Sequence, residues 1–136
     1  MVGIVGLAEA IKYSYKEFDY NNTKILNLRN YFITKLKENF KGIKINGDLE
    51  KRLPGNINVS FPNVDGGELL LQLDEYGICA SAGSACSTGS GKPSHVLTSI
   101  GLSKEEAFGT LRFTLGKENT KQEIDYVANV LKKIVI

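Results

Sequence analysis

The segment 81–96, SAGSACSTGSGKPSHV, holds Cys86 and the one histidine of the chain, His95, among glycine, serine and alanine. A cysteine acts as a nucleophile through its thiolate, so its reactivity depends on pKa and exposure more than on packing. The glycines give the backbone around Cys86 wide conformational freedom. Such a loop could carry a thiol between two positions, which predicts a group that receives something and hands it on.

The alternative is that Cys86 is a small core residue, as free cysteines often are. For Cys79, between Ile78 and Ala80, this structural interpretation is preferred, because the surrounding residues predict a buried strand. A metal site formed by Cys79, Cys86 and His95 is not expected, since their spacing fits no common zinc pattern and a fourth ligand is missing.

Two further residues are candidates for chemistry. His95 could serve as an acid or base near the loop, but within a helix it could equally make a local hydrogen bond. Arg112 lies in a predicted strand between Leu111 and Phe113, where an arginine is costly unless it meets a carboxylate. That carboxylate could belong to a ligand or to one of the acidic residues of the chain, and the sequence leaves both open.

Length and composition indicate one folded domain. The chain has 136 residues, of which 42% are hydrophobic and 24% charged, as in ordinary globular proteins. The net charge is +2 and the basic residues are scattered, so nucleic-acid binding is not indicated. No apolar run is long enough to cross a bilayer, and two cysteines do not suggest a disulfide framework. We therefore expect a cytoplasmic protein.

The N-terminal third predicts helices. Residues 2–40 favour helix, and the polar patch DYNNT at 19–23 predicts two consecutive helices or one bent helix, with Asn22 or Thr23 as the cap of the second. Gly42 is expected to end the second of these helices. The periodic residues that predict its buried face are Ile25, Leu28, Phe32, Leu36 and Phe40.

The remaining chain alternates between strand and helix patterns. NINVSF, GICAS and TLRFTLG predict strands, the second of them short and buried. Helices are predicted for GGELLLQLDEY, which ends at Gly77, for PSHVLTSI and for the segment 120–136 with a Thr120–Glu123 capping box. This order predicts an α/β (α+β) sandwich, in which one small mixed sheet is covered by helices.

The motifs SAGSAC, PSHVL and LRFTLG, in this order and spacing, resemble the C-terminal part of the cysteine desulfurases. The resemblance extends over nearly the whole chain and is to the branch with a long loop around the catalytic cysteine. It implies the small domain of a class V aminotransferase fold. No HK pair occurs in the chain, whereas the family's cofactor lysine follows a histidine in the large domain. We therefore expect residues 1–136 to be the small domain alone, without the cofactor lysine.

The resemblance also implies roles for particular residues. Cys86 corresponds to the cysteine that takes sulfur from L-cysteine as a persulfide and leaves L-alanine, and Arg112 to the arginine that binds the substrate carboxylate. His95 and Ser84 are candidate accessory residues. The implied cofactor is pyridoxal phosphate, and the implied partners are an iron–sulfur scaffold or another sulfur acceptor and a second copy in a homodimer. The sulfur would serve iron–sulfur cluster assembly or tRNA thiolation.

Two other interpretations stay open at the level of sequence. The chain could be a stand-alone sulfur carrier or interaction module that receives sulfur on Cys86 from another enzyme. It could also be a redox-sensing protein that pairs Cys79 with Cys86.

Overall fold

A computed structural model describes residues 1–82 and 93–135. The helices are α1 (Val2–Lys16), α2 (Phe18–Asn39), α3 (Gly66–Glu75), α4 (His95–Ser99), α5 (Lys104–Phe108) and α6 (Lys121–Val135). The strands are β1 (Lys44–Ile45), β2 (Asn56–Ser60) and β3 (Thr110–Thr114). None of the helices in the described ranges is both long and apolar enough to span a membrane.

The three strands form one sheet in the order β1-β2-β3. Both pairs are antiparallel, and in the central pair Ile57 lies opposite Phe113 and Asn58 lies opposite Arg112. The predicted α/β fold class is confirmed, with the difference that the described strands form an antiparallel sheet and not a mixed one. GICAS forms no strand there, because this segment pairs with β3 only at a single bridge, at Ser81.

The core lies between one face of the sheet and the helices α2, α3 and α6. Alternation along β2 and β3 sends Ile57, Val59, Leu111 and Phe113 into it, each no more than 4% exposed. The predicted helical faces are confirmed, since the periodic positions of α2 from Leu28 onwards are buried. The residues that fill the core from the helices include Leu28, Phe32, Leu36, Phe40, Leu69, Leu73, Ile124 and Leu131.

The break between the first two helices lies earlier than predicted. It falls at Glu17, and the patch DYNNT is part of α2, so Asn22 and Thr23 do not cap that helix. The local preference of Asp, Asn and Thr for helix ends is overridden because the following turns of α2 pack against the sheet and α6.

Helix α1 has no buried residue, although its sequence is strongly apolar. Its exposed side chains include Ile4, Val5, Leu7 and Ile11. A contiguous apolar surface of this kind is typical of a contact site, because a lone soluble domain rarely exposes so much apolar area.

Candidate functional site

Arg112 stands at the centre of β3 and is joined to Ser81 by two backbone hydrogen bonds. The Arg112 N–H donates to the Ser81 carbonyl at 2.7 Å, and the Ser81 N–H donates to the Arg112 carbonyl at 3.0 Å. Ser81 is the second-last residue of the described range 1–82. Strand β3 therefore holds, by two backbone hydrogen bonds, the residue Ser81 that precedes the segment containing Cys86.

The Arg112 side chain lies on the face of the sheet opposite the core. It is exposed, whereas its neighbours Leu111 and Phe113 are buried. Its Nη2 donates to Ser81 Oγ at 3.4 Å, and within the described residues no carboxylate lies within 4.0 Å of its guanidinium. The expected cost of an unpaired arginine between two apolar residues does not arise, because strand alternation places its side chain in solvent. Most of its donors are therefore available to an anion.

Polar residues that were not predicted as site residues lie with Arg112 on this face of the sheet. Asn58 lies directly across from Arg112 on β2. Asn46, which is 2% exposed, donates from Nδ2 to Asn58 Oδ1 and to Ser60 Oγ, both at 2.8 Å. Ser60 Oγ in turn lies 2.7 Å from Thr110 Oγ1. The alternation of polar residues in NINVS and TLRFT was the signal that could have indicated this hydrogen-bonded layer.

Cys79 is exposed, which contradicts its predicted place in a buried strand. Ile78 lies in the core instead and is 7% exposed, and the side chain of Cys79 points away from the core. Cys79 contributes to the wall of a cavity of about 340 Å³ that also includes Phe113 and Tyr126. The prediction that Cys79 is a buried structural residue is therefore wrong.

Of the three remaining candidates, only His95 lies within the described residues. His95 is the first residue of α4 and is exposed, so it stands at the start of a helix and not one turn inside it. Cys86 and Ser84 lie outside the described residues. The roles of these three residues stay predictions.

One cavity of a size suited to a small-molecule cofactor does not fit pyridoxal phosphate. This cavity of about 710 Å³ beside β1 and α5 includes one lysine, Lys44, whose Nζ lies 3.0 Å from Glu106 Oε1. Asp65 and Glu105 line the same cavity, and their carboxylates would repel a phosphate group. In the two described ranges, no three or more His, Cys, Asp or Glu side chains are grouped as metal ligands.

The sequence matches the model of the family described as aminotransferase class-V over residues 1–127. It is 47% identical over 135 residues to a protein of Clostridium botulinum named cysteine desulfurase IscS, an alignment that covers 98% of this chain and 34% of that protein. A protein of the same name from Dictyoglomus turgidum is 42% identical over 135 residues, 99% of this chain and 34% of its own length. The chain thus spans about a third of the length of the curated relatives it matches.

Solved structures give the same result. A NifS-like protein superposes with a TM-score of 0.83 at 32% identity, covering 98% of this chain and 33% of its own. A NifS-like protein from Rickettsia africae has a TM-score of 0.77 at 30% identity, covering 95% of this chain and 32% of its own. These findings confirm the resemblance predicted from SAGSAC, PSHVL and LRFTLG. The chain belongs to the class-V aminotransferase family, and over its whole length it is similar to the cysteine desulfurases.

Proposed function

We propose that this chain is the small, C-terminal domain of a cysteine desulfurase, and that the complete enzyme converts L-cysteine into L-alanine and a persulfide. The observation that carries the proposal is the state of Arg112. Its guanidinium is exposed on a polar face and has no carboxylate partner among the described residues, within a chain 47% identical to a cysteine desulfurase. A planar guanidinium can hold a substrate carboxylate with two parallel hydrogen bonds.

Cys86 is the proposed nucleophile and sulfur carrier, an assignment supported by the SAGSAC motif. Its thiolate would take the sulfur atom of L-cysteine, so that an S–S bond forms and the Cβ–S bond of the substrate breaks. A proton then replaces sulfur on Cβ, which gives L-alanine. His95 and Ser84 are proposed as accessory residues near this step, on the strength of their motifs alone.

Pyridoxal phosphate is the proposed cofactor of the complete enzyme, where it would act as an electron sink. Because the cavity beside β1 and α5 does not fit the cofactor and the chain has no HK pair, we place the cofactor's lysine and phosphate ligands in the other two thirds of the enzyme. This chain is expected to contribute Arg112 and Cys86 to the shared site.

The exposed apolar residues of α1 support the domain assignment. Ile4, Val5 and Leu7 are each at least 60% exposed, and burying them against another polypeptide surface would be favourable by the hydrophobic effect. We propose that α1 packs on the cofactor-binding domain in the complete enzyme, and that the relatives' greater length accounts for that domain.

The proposed partners are L-cysteine, a second copy in a homodimer and a sulfur acceptor such as an iron–sulfur scaffold or a component of tRNA thiolation. No direct contact with nucleic acid or membrane is proposed. A cytoplasmic location is proposed because a persulfide carrier depends on a thiol that a reducing compartment keeps free.

Replacing Arg112 by Lys in the complete enzyme tests the carboxylate role. Lysine keeps the charge but loses the planar two-bond contact, so KM for L-cysteine should rise strongly while the melting temperature stays the same. Arg52→Lys is the matched control, because the Arg52 guanidinium donates to backbone carbonyls of Asp48 and Asn56. That variant should lose stability without a change in KM, and an unchanged KM for Arg112→Lys would contradict the proposal.

Mass spectrometry separates the domain from a stand-alone sulfur carrier. The isolated chain, incubated with L-cysteine and pyridoxal phosphate, should gain no sulfur and should retain no cofactor absorbance after desalting. Beside a complete desulfurase, a sulfur carrier would gain about 32 Da on Cys86, one sulfur atom, as a persulfide. Loss of that gain in Cys86→Ser, but not in Cys79→Ser, would assign the sulfur to Cys86.

A further inference from the structure

We infer that Ser81 is a positioning residue for Arg112, so that its hydroxyl orients the guanidinium toward the carboxylate of the substrate. This inference rests on the proposed function and adds a residue to it. The two residues are 31 positions apart in sequence, and the structure brings their side chains together on the polar face of the sheet.

The geometry of the bridge places both side chains on one face. Ser81 and Arg112 exchange both of their backbone N–H···O bonds, at 2.7 and 3.0 Å. Residues that are paired in this way in an antiparallel bridge lie directly opposite each other and send their side chains to the same side. Ser81 Oγ is therefore held beside the Arg112 side chain by backbone contacts alone.

The contact leaves the guanidinium able to bind a ligand. Arginine has five N–H donors in one plane, and Ser81 Oγ accepts from one nitrogen, Nη2, at 3.4 Å. A neutral hydroxyl fixes the direction of the group without neutralising it, whereas a carboxylate partner would compete with the substrate. Across the strand, Asn58 is itself held by Asn46, so the other flank of Arg112 is also ordered.

The 3.4 Å length of the hydrogen bond between Arg112 and Ser81 is compatible with this role. Hydrogen bonds between functional groups are often long without substrate and commonly shorten when the substrate is bound. Orientation lowers the entropy that binding must remove, and this effect appears in KM more than in the rate of the chemical step.

The test compares Ser81→Ala with Ser81→Thr in the complete enzyme. Alanine keeps the backbone bridge and removes the hydroxyl, so KM for L-cysteine should rise about fivefold with kcat nearly unchanged, the effect of losing one hydrogen bond of ordinary strength. Threonine keeps the hydroxyl and suits an extended backbone, so it should restore KM. Ser60→Ala is the matched control, because its hydroxyl lies on the same face but contacts Asn46 and Thr110.

A binding measurement gives a second readout. L-alanine and L-alaninamide should both be titrated as inhibitors, since they differ only in the carboxylate. Ser81→Ala should weaken inhibition by L-alanine and leave L-alaninamide unchanged. If Arg112→Lys shows this discrimination and Ser81→Ala does not, the positioning role is overturned while the carboxylate role of Arg112 stands. If neither shows it, both fail, and a Ser81→Ala variant with lowered melting temperature and unchanged KM would also overturn the inference.

Discussion

Tyr31 and Asp125 join the two long helices of the core, since Tyr31 Oη on α2 donates a 2.7 Å hydrogen bond to Asp125 Oδ1 on α6. The bond joins two residues that lie 94 positions apart in sequence. It raises the pKa of the Tyr31 phenol above its ordinary value because the protonated form is the donor. Lys35 and Lys121 lie over the same ring, at 5.4 and 5.3 Å from its centroid.

Tyr31→Phe is expected to lower the urea midpoint of unfolding near neutral pH. The folded pKa is raised, so the stabilisation is complete below the ordinary tyrosine pKa of about 10 and is lost as pH rises through the folded pKa. The difference between the two proteins should therefore close at alkaline pH. A difference that is constant across this range would show that the phenol proton is not involved.

Phe32→Ala is expected to destabilise the fold by about 3–5 kcal/mol, the usual cost of removing a buried aromatic ring. Phe32 is 1% exposed and packs edge to face on Phe113, with ring centroids 5.2 Å apart. Phe108→Ala is the control, because that ring is 41% exposed. Chemical denaturation of both variants gives the measurement, and equal losses would contradict the assigned core.

Two capping carboxylates should make stability depend on pH in the acidic range. The pKa of Glu106 is lowered by the Ser103 backbone N–H and then by Lys44, and that of Glu123 by the Thr120 backbone N–H and then by Asn119. A lowered folded pKa stabilises above the ordinary value of about 4.5, and this contribution is lost as pH falls through the folded pKa.

Glu106→Gln and Glu123→Gln should each flatten the fall of the unfolding midpoint between neutral and acidic pH. Glutamine preserves the capping box but does not titrate. Glu118→Gln serves as the control, since the Glu118 side chain is 90% exposed and lies outside either box. If the unfolding midpoint of both capping variants falls with pH as steeply as that of the unchanged chain, these carboxylates are not the cause of the fall.

Cys79 is expected to react with iodoacetamide in the folded chain, because its side chain is exposed. Peptide mapping after brief labelling, with and without denaturant, measures this directly. Ser81→Ala is the control variant, because it changes a residue two positions from Cys79 and keeps the thiol, so its Cys79 should be labelled to the same extent. Labelling of Cys79 that requires denaturant would contradict its position at the surface.

Much of the fold follows from patterns that are local in sequence. The spacing of Leu28, Phe32 and Leu36 predicts the buried face of α2, and alternation predicts β2 and β3. Thr120 and Glu123 cap α6 as predicted, with a 2.8 Å bond from the Thr120 N–H to Glu123 Oε2. The same signal was present at α5, where Ser103 and Glu106 form a capping box that was not predicted.

The candidate site was predictable only in part. Arg112 and the strand that carries it were identified from sequence, and the resemblance supplied a role for Arg112 and Cys86. Local patterns were sufficient to predict which faces are apolar, where strands alternate and which motifs match a family, because these features depend on neighbours within a few positions. That Cys79 is exposed and that Ser81 lies beside Arg112 became evident from the three-dimensional structure alone. Those outcomes depend on which of two faces the helices cover and on contacts between residues far apart in the chain, and no local pattern encodes either one.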